Sequence, residues 1–240
     1  MGVLLALSFP PFEQAWIAWF ALVPLLLVLR GKKAGQAFFL SFNCGVSFFL
    51  SHFHWILPLS GYTLLHHALL AVYLGSYFAL FGAAYACISR RFNPALIPLI
   101  VPFVWVALEF IRSNFFFLAL PWGILAHSQY RFLTLLQVSS LSGTHGISFL
   151  LIMTNCIIAA LISRRIARGK NGGLAMTPRR GVYSGRMERM VVLTVLGILF
   201  FSLLYGHFAL KKPFPGTALK VAVVQGNIAQ ERKWDPKYAG

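Results

Sequence analysis

A stretch of 56 residues, from Ala34 to Ser89, contains no Asp, Glu, Lys or Arg, and this feature limits the fold more than any other. A helix that crosses the hydrocarbon core of a bilayer needs about 20 apolar residues, so the stretch has room for two spans and a turn. Pro58 and Gly61 mark the turn, because both residue types interrupt regular structure. Lipid offers no hydrogen bonds to an open strand, so we expect the spans to be helices.

Other uncharged runs can each supply one further span, which brings the prediction to about six full spans. These runs are Gln14–Leu29, Phe92–Leu108, Phe132–Ser163 and Met190–Leu210. The apolar residues before Pro10 are too few to cross a bilayer. We interpret them as the end of a partial first helix, with a re-entrant or interfacial segment as the alternative. The predicted fold class is an all-α polytopic membrane helix bundle over residues 1–210.

Basic residues outnumber acidic ones by 21 to 5, a balance that normally suggests a nucleic-acid partner. Here the basic residues lie between long uncharged runs, so no nucleic-acid partner is predicted. Hydrophobic residues make up 58% of the chain and charged residues 11%, whereas a soluble domain has about 25% charged residues. Composition therefore excludes both a disordered chain and a soluble basic domain.

Three loops contain three, two and eight of the basic residues, at positions 30–33, 90–91 and 164–189. By the positive-inside rule these loops face the cytoplasm. The connection over residues 112–146 and the tail from Lys211 then face outward, as does the turn near Pro58.

All three cysteines, Cys44, Cys87 and Cys156, lie inside predicted spans and form no CxxC motif. A buried cysteine is usually a small hydrophobic residue, and a thiolate is disfavoured in lipid. We therefore expect structural roles for all three.

Four histidines flank the predicted turn, and we interpret them as interfacial residues. They are His52, His54, His66 and His67. A haem or metal site is the alternative, but it would need ligands from two helices and has no acid or cysteine nearby. No metal site and no cofactor are predicted.

The connection over residues 112–146 mixes apolar and polar residues, as expected of a segment at the outer membrane–water interface. Its candidate lipid-lining residues are Trp122, Ser128, Gln129, Gly143 and Gly146. Trp122 either anchors the chain in the aromatic belt or lines a lipid-facing cleft. The two glycines allow the backbone to approach a lipid headgroup, although entry into a helix also explains them.

Glu109 and Arg112 complete the candidate set near the outer end of a predicted span. Their spacing of three residues places both on one helix face, where they can form an ion pair. A carboxylate within the membrane is often functional, but we favour a salt bridge that makes burial of both groups tolerable.

The pattern changes after Lys211. Residues 211–218 are interpreted as a linker, and Leu219–Gln225 is rich in β-branched residues and precedes Gly-Asn, which predicts a strand and a turn. We interpret residues 219–240 as the incomplete beginning of an outward α/β domain, too short to bury a core.

The segment from Lys220 to Pro236, Lys-Val-Ala-Val-Val-Gln-Gly-Asn-Ile-Ala-Gln-Glu-Arg-Lys-Trp-Asp-Pro, resembles the start of the nitrilase-like domain of apolipoprotein N-acyltransferases. Upstream segments resemble the same family in order, across nearly the whole chain. They are Ser8–Phe12 with Leu22–Leu26, Trp105–Arg112, Pro121-Trp122 with Ser128-Gln129, and Gly143–Phe149. Two positions differ: His145 replaces an aromatic residue, and Ala126-His127 replaces Gly-Tyr.

The resemblance implies a bacterial inner-membrane enzyme with a periplasmic nitrilase-like (carbon–nitrogen hydrolase) domain. Such enzymes move an acyl chain from a phospholipid to the α-amino group of a diacylglyceryl-cysteine lipoprotein. A Cys carries the acyl group as a thioester, a Glu is the general base, and a Lys stabilises the oxyanion.

In the family these three residues lie beyond the segment that here ends at Gly240. The resemblance therefore assigns no catalytic residue to this chain, which we expect to be truncated and inactive alone. The alternative is a non-catalytic membrane scaffold or lipid-binding subunit for a separate nitrilase-like partner.

Overall fold

The computed structural model describes residues 1–170, 185–212, 216, 219–225 and 237, and these residues form helices without a β-strand. The helices are α1 (Gly2–Ala6), α2 (Val23–Leu29), α3 (Ala34–His52), α4 (Leu64–Arg91), α5 (Ile97–Asn114), α6 (Leu133–Leu136), α7 (Ser139–Lys170) and α8 (Gly185–Lys211). Within the described residues, five helices are long and apolar enough to cross a membrane. The predicted all-α membrane bundle is therefore confirmed.

Helices α3 and α4 form the expected antiparallel pair, and small residues bring their backbones close together. A Cβ atom added to Gly45 would lie 2.7 Å from the Cβ of Phe78, and one added to Gly75 would lie 2.8 Å from Cγ2 of Val46. Membrane helices pack in this way because lipid tails provide no hydrophobic driving force, so close contact must supply the attraction.

The segment over residues 14–29 differs from the single span that its hydropathy predicts. A 3-10 turn opens the segment, and α2 begins only at Val23. Fully buried Asn155 of α7 lies beside the break, where its Oδ1 accepts from the Leu22 N–H (2.9 Å) and its Nδ2 donates to the Ala18 carbonyl (2.9 Å). Because this amide bonds the backbone groups at the break, the helix can be interrupted inside an apolar bundle.

The apolar N-terminal segment packs on the bundle. It forms the five-residue helix α1, against α3, and continues to Phe9, whose buried ring lies 5.5 Å from that of Phe48. Gly2 is in contact with α3, where a Cβ atom would collide with the Cys44 carbonyl. The segment therefore contributes to the core instead of lying apart from it.

Two ends of the bundle can be distinguished. At the basic end, Arg90 Nη2 donates to the Lys32 carbonyl (2.8 Å) and joins two of the basic loops. At the aromatic end, which comprises residues 53–63 and 115–132, the ring of Trp122 lies 5.5 Å from that of Trp55. The two basic loops at Lys32 and Arg90 therefore lie together, away from the connection that holds most candidate site residues.

Residues 219–225, predicted to form a strand, have no regular secondary structure and are exposed. A strand needs a neighbour for its backbone hydrogen bonds, and the described residues provide none. Except for Lys237, residues 226–240 lie outside the described residues, as do 171–184 of the basic loop.

Candidate functional site

Arg112, in the last turn of α5, holds the loop that follows its helix. Its Nη1 donates to the carbonyls of Leu120 (3.1 Å) and Trp122 (2.6 Å), and its Nη2 lies 3.4 Å from the carbonyl of Gly123. The side chain is 3% exposed. Hydrogen bonds from an ionised donor are stronger than neutral ones, so one guanidinium fixes the backbone over several consecutive residues.

Glu109, one turn earlier on α5, binds the same loop from the other direction. Its Oε1 accepts from the backbone N–H of Leu125 (2.8 Å), whose carbonyl in turn accepts from Ser128 Oγ (2.7 Å). We call residues 119–125 the clamped loop. Arg112 donates to its backbone carbonyls, and Glu109 accepts from one of its backbone N–H groups.

The expected salt bridge between Glu109 and Arg112 does not form. Among the described residues, the ion pair whose N···O distance is within 4.0 Å joins Arg131 to Glu13. The Glu13 carboxylate also accepts a hydrogen bond from the hydroxyl of Tyr130. The physical reason is competition: Arg112 bonds to carbonyls of the clamped loop and Glu109 Oε1 to one of its N–H groups, while Oε2 of Glu109 has no hydrogen-bond partner among the described residues.

Trp122 combines a fixed backbone with an outward ring. Arg112 binds its carbonyl, whereas its side chain is 48% exposed and packs beside Trp55 and Phe53. Nearby Phe116 is 88% exposed. This position fits both interpretations of Trp122, an interface anchor and a lining residue.

Ser128 and Gln129 lie inside the bundle and not on a lipid-facing surface, because both are only 1% exposed. The amide of Gln129 donates to the Ala15 carbonyl (2.9 Å) and accepts from the indole N–H of Trp19 (3.1 Å). These bonds tie the 3-10 turn at residues 15–19 to the connection, so the two polar side chains support the fold internally.

Gly143 and Gly146 lie near the start of α7. Gly143 has φ 64° and ψ −173°, a conformation that divides the helix and that L side chains rarely adopt. Gly146 leaves no room for a Cβ atom beside the Ser142 side chain. Helix entry accounts for both glycines, and an approach to a lipid headgroup stays a proposal.

A cavity that sequence reasoning missed lies behind the clamped loop. Its volume is about 20 Å³, room for about one water molecule, and its lining includes Phe48, Phe49, Phe78, Phe81 and Trp105. Glu109 and Arg112 line the cavity too, and the guanidinium carbon of Arg112 lies 5.6 Å from the ring centre of Phe49. Trp105 and Glu109 are four residues apart, so the sequence could have predicted that both side chains lie on the same face of one helix.

Two lining residues of this cavity each carry a buried polar atom without a hydrogen-bond partner among the described residues. They are Oε2 of Glu109 and Nε1 of Trp105. The lining thus combines an acceptor and a donor with aromatic rings, and it contains no Cys, Ser or Lys among the described residues. A space of this size can hold a small polar molecule such as water between these groups.

The histidines near the turn take part in local hydrogen bonds. His67 Nε2 lies 3.0 Å from the Leu50 carbonyl, and His66 with Thr63 caps the start of α4. Over the residues that the structure describes, no group of three or more His, Cys, Asp or Glu side chains is arranged to hold a metal ion.

Comparison with known proteins places this bundle in a family. The model of the apolipoprotein N-acyltransferase N-terminal domain matches residues 1–157. The chain is 36% identical over 243 residues to an apolipoprotein N-acyltransferase of Geobacter metallireducens, with 99% of this chain and 44% of the relative covered.

Two further relatives bear the same name. The Gloeobacter violaceus protein is 30% identical, with 98% of this chain and 43% of the relative covered, and the Pasteurella multocida protein is 25% identical, with 99% and 43% covered. The chain thus spans less than half the length of these relatives. It belongs to the apolipoprotein N-acyltransferase family.

Proposed function

We propose that this chain is the membrane-spanning part of an enzyme that transfers an acyl chain from a phospholipid to the N-terminal diacylglyceryl-cysteine of a lipoprotein. The observation that carries the proposal is the family match over residues 1–157, which covers the bundle from α1 through the clamped loop into α7. The acyl donor is a membrane lipid and the acceptor is a lipid-anchored protein, so the enzyme needs a lipid-facing surface near one membrane interface.

We assign that surface to the aromatic end. Trp55, Trp122 and Phe116 are exposed there, and aromatic rings of this kind concentrate at membrane–water interfaces. The clamp fixes the backbone of Trp122, so its ring can hold an acyl chain in one place. In this proposal Trp122 lines the lipid route, and Glu109 and Arg112 act through the loop.

We further propose that the protein lies in the bacterial inner membrane with its basic end in the cytoplasm. The joined loops at Lys32 and Arg90 support this orientation through the positive-inside rule. The aromatic end and the residues after α8 then face the periplasm, where a nitrilase-like domain would meet the lipid route.

The proposed chemistry uses a Cys thioester, a Glu base and a Lys within the nitrilase-like domain, and none of the residues up to Gly240 is assigned to it. Cys44 and Cys156 are buried, whereas Cys87 is exposed on the surface of membrane-spanning helix α4, where lipid surrounds it in this proposal. A thiol surrounded by apolar groups is a poor nucleophile because burial disfavours the thiolate. We therefore expect no transfer by residues 1–240 alone.

A chimera tests this proposal. Residues 1–240 replace the matching region of the Geobacter metallireducens relative, and the purified chimera receives a radiolabelled phospholipid and a diacylglyceryl-cysteine peptide. The chimera should transfer label to the peptide amine, whereas residues 1–240 alone should form no labelled thioester. A monodisperse chimera without transfer would contradict the proposed acyltransferase role. A labelled thioester on any of the three cysteines would overturn their assignment as structural residues.

A further inference from the structure

A second, open cavity lies at the basic end, far from the clamped loop. Its volume is about 240 Å³. Arg30, Ser89, Arg90, Ile97, Cys156 and Ser163 are among its lining residues. The cavity is thus bounded by the loop after α2, the end of α4, the beginning of α5 and the second half of α7.

Local structure explains why two arginines meet at this cavity. Helix α2 ends at Leu29, so Arg30 is the first residue beyond it, whereas Arg90 lies in the last turn of α4. The bond from Arg90 to the Lys32 carbonyl holds the two segments together. Two arginines therefore border one concave surface.

The remaining surroundings favour an anion. Helix α5 begins at Ile97, so the positive end of its dipole lies at the cavity. Arg30 and Arg90 are positively charged, and none of the described lining residues is acidic. The negative ends of α2 and α4 also lie here, and Arg30 and Arg90 offset them.

The cavity also has an apolar side. Ile97, Cys156 and Ala160 line it together with the ring-bearing Tyr85. A site that joins two arginines to an apolar wall matches a molecule that is anionic at one end and apolar at the other. Basic pockets between membrane helices commonly bind phosphate-containing lipid headgroups for this reason.

We propose that this cavity binds the phosphate of an anionic phospholipid headgroup, with Arg30 and Arg90 as its cationic ligands. A guanidinium group binds the phosphate of a lipid and free phosphate alike. The apolar wall favours the lipid, because free phosphate has no apolar part to place against it. The site lies at the opposite end from the proposed acyl-transfer surface, so it stands whether or not that function is correct.

Native mass spectrometry of the purified protein in a neutral detergent tests the proposal. The protein is titrated separately with dioleoyl-phosphatidylglycerol, dioleoyl-phosphatidylcholine and inorganic phosphate. We expect retention of phosphatidylglycerol over phosphatidylcholine. The double substitution Arg30→Gln/Arg90→Gln should weaken phosphatidylglycerol binding about tenfold or more, because it removes both charge-assisted contacts.

Arg91→Gln is the matched control, since it removes the same charge from the neighbouring position outside the cavity lining. It should change affinity by no more than about twofold. Equal losses in Arg91→Gln and the double variant would overturn the site in favour of general surface charge. Equal retention of both lipids would also overturn it, as would arginine-dependent binding of inorganic phosphate without lipid binding.

A second variant keeps the test decisive if the double variant does not fold. Ser163→Trp fills part of the cavity and leaves every charge in place. It should lower the affinity for phosphatidylglycerol about as strongly as the loss of both arginines. Wild-type affinity in a folded Ser163→Trp protein would contradict the proposal.

Discussion

Glu109 and Arg112 lie three residues apart on α5, yet they bind the backbone of one loop instead of each other. Arg112 donates to the carbonyls of Leu120 and Trp122, and Glu109 accepts from the N–H of Leu125. Removing a partner from a buried charge is costly, so both charges depend on the loop as much as the loop depends on them. This relationship makes the clamped loop part of the bundle.

Replacing Arg112 by Gln should strongly destabilise the protein. Gln cannot reproduce the bonds to the loop carbonyls, and the loss leaves buried acceptors unpaired, at a cost of about 3 kcal/mol. Unfolding monitored by tryptophan fluorescence measures the change. Arg131→Gln is the control: the Arg131 side chain is 67% exposed, so losing its ion pair with Glu13 should cost less than about 1 kcal/mol. Equal losses would show that the loop contacts contribute little.

The break before α2 should depend on Asn155. In Asn155→Leu the Leu22 N–H and the Ala18 carbonyl lose their partner inside the bundle, and we expect a loss of about 3 kcal/mol in unfolding free energy. Thr154→Val is a matched control, because the Thr154 hydroxyl bonds the Leu150 carbonyl of its own helix. That variant should stay within about 1 kcal/mol of wild type. A stable Asn155→Leu protein would mean that the break needs no side-chain partner.

Gly143 should tolerate alanine poorly although the space around it is open. Nothing lies within 4 Å of a Cβ atom there, so the cost comes from its φ of 64° with ψ −173° and should be about 1–3 kcal/mol. Gly197→Ala tests the reverse case, since this helical glycine of α8 also has open surroundings. Alanine should leave stability unchanged or raise it by up to about 1 kcal/mol at Gly197. Similar melting temperatures for the two variants would contradict the conformational argument.

Trp122 should matter for activity more than for stability. In the chimera described above, Trp122→Ala removes a half-exposed ring from the proposed lipid route, and acyl transfer should fall about tenfold while the melting temperature changes little. Trp122→Phe should retain most of the activity. Trp16→Ala, which removes a 61% exposed ring, is the control and should transfer at the wild-type rate. Wild-type transfer by Trp122→Ala would remove this residue from the lipid route.

The long spans could be predicted because hydropathy and length are local properties. The uncharged run from Ala34 to Ser89 forms α3 and α4, and Pro58 and Gly61 lie in the turn between them. Segment 14–29 has the same kind of composition, but its break depends on a buried amide more than 130 positions along the chain. Periodicity within a segment contains no information about such a partner.

The candidate site was predictable to a similar extent. The rarity of acids identified Glu109, and the helix spacing placed it with Arg112, but the choice between an ion pair and a loop depends on how residues 119–125 fold back. Ser128 and Gln129 looked like interface residues because polarity alone does not distinguish an exposed side chain from one bonded inside the bundle. Tertiary contacts decided both cases.

The central claim, that Glu109 and Arg112 hold the clamped loop, is tested most directly by backbone hydrogen exchange. Exchange is followed by mass spectrometry in Glu109→Ala, Arg112→Gln and the control Arg131→Gln. The account predicts that exchange in residues 119–127 rises about tenfold or more in the first two variants, while α3 and α4 keep wild-type protection. Unchanged exchange in this loop, or an equal rise over the whole bundle, would contradict the claim.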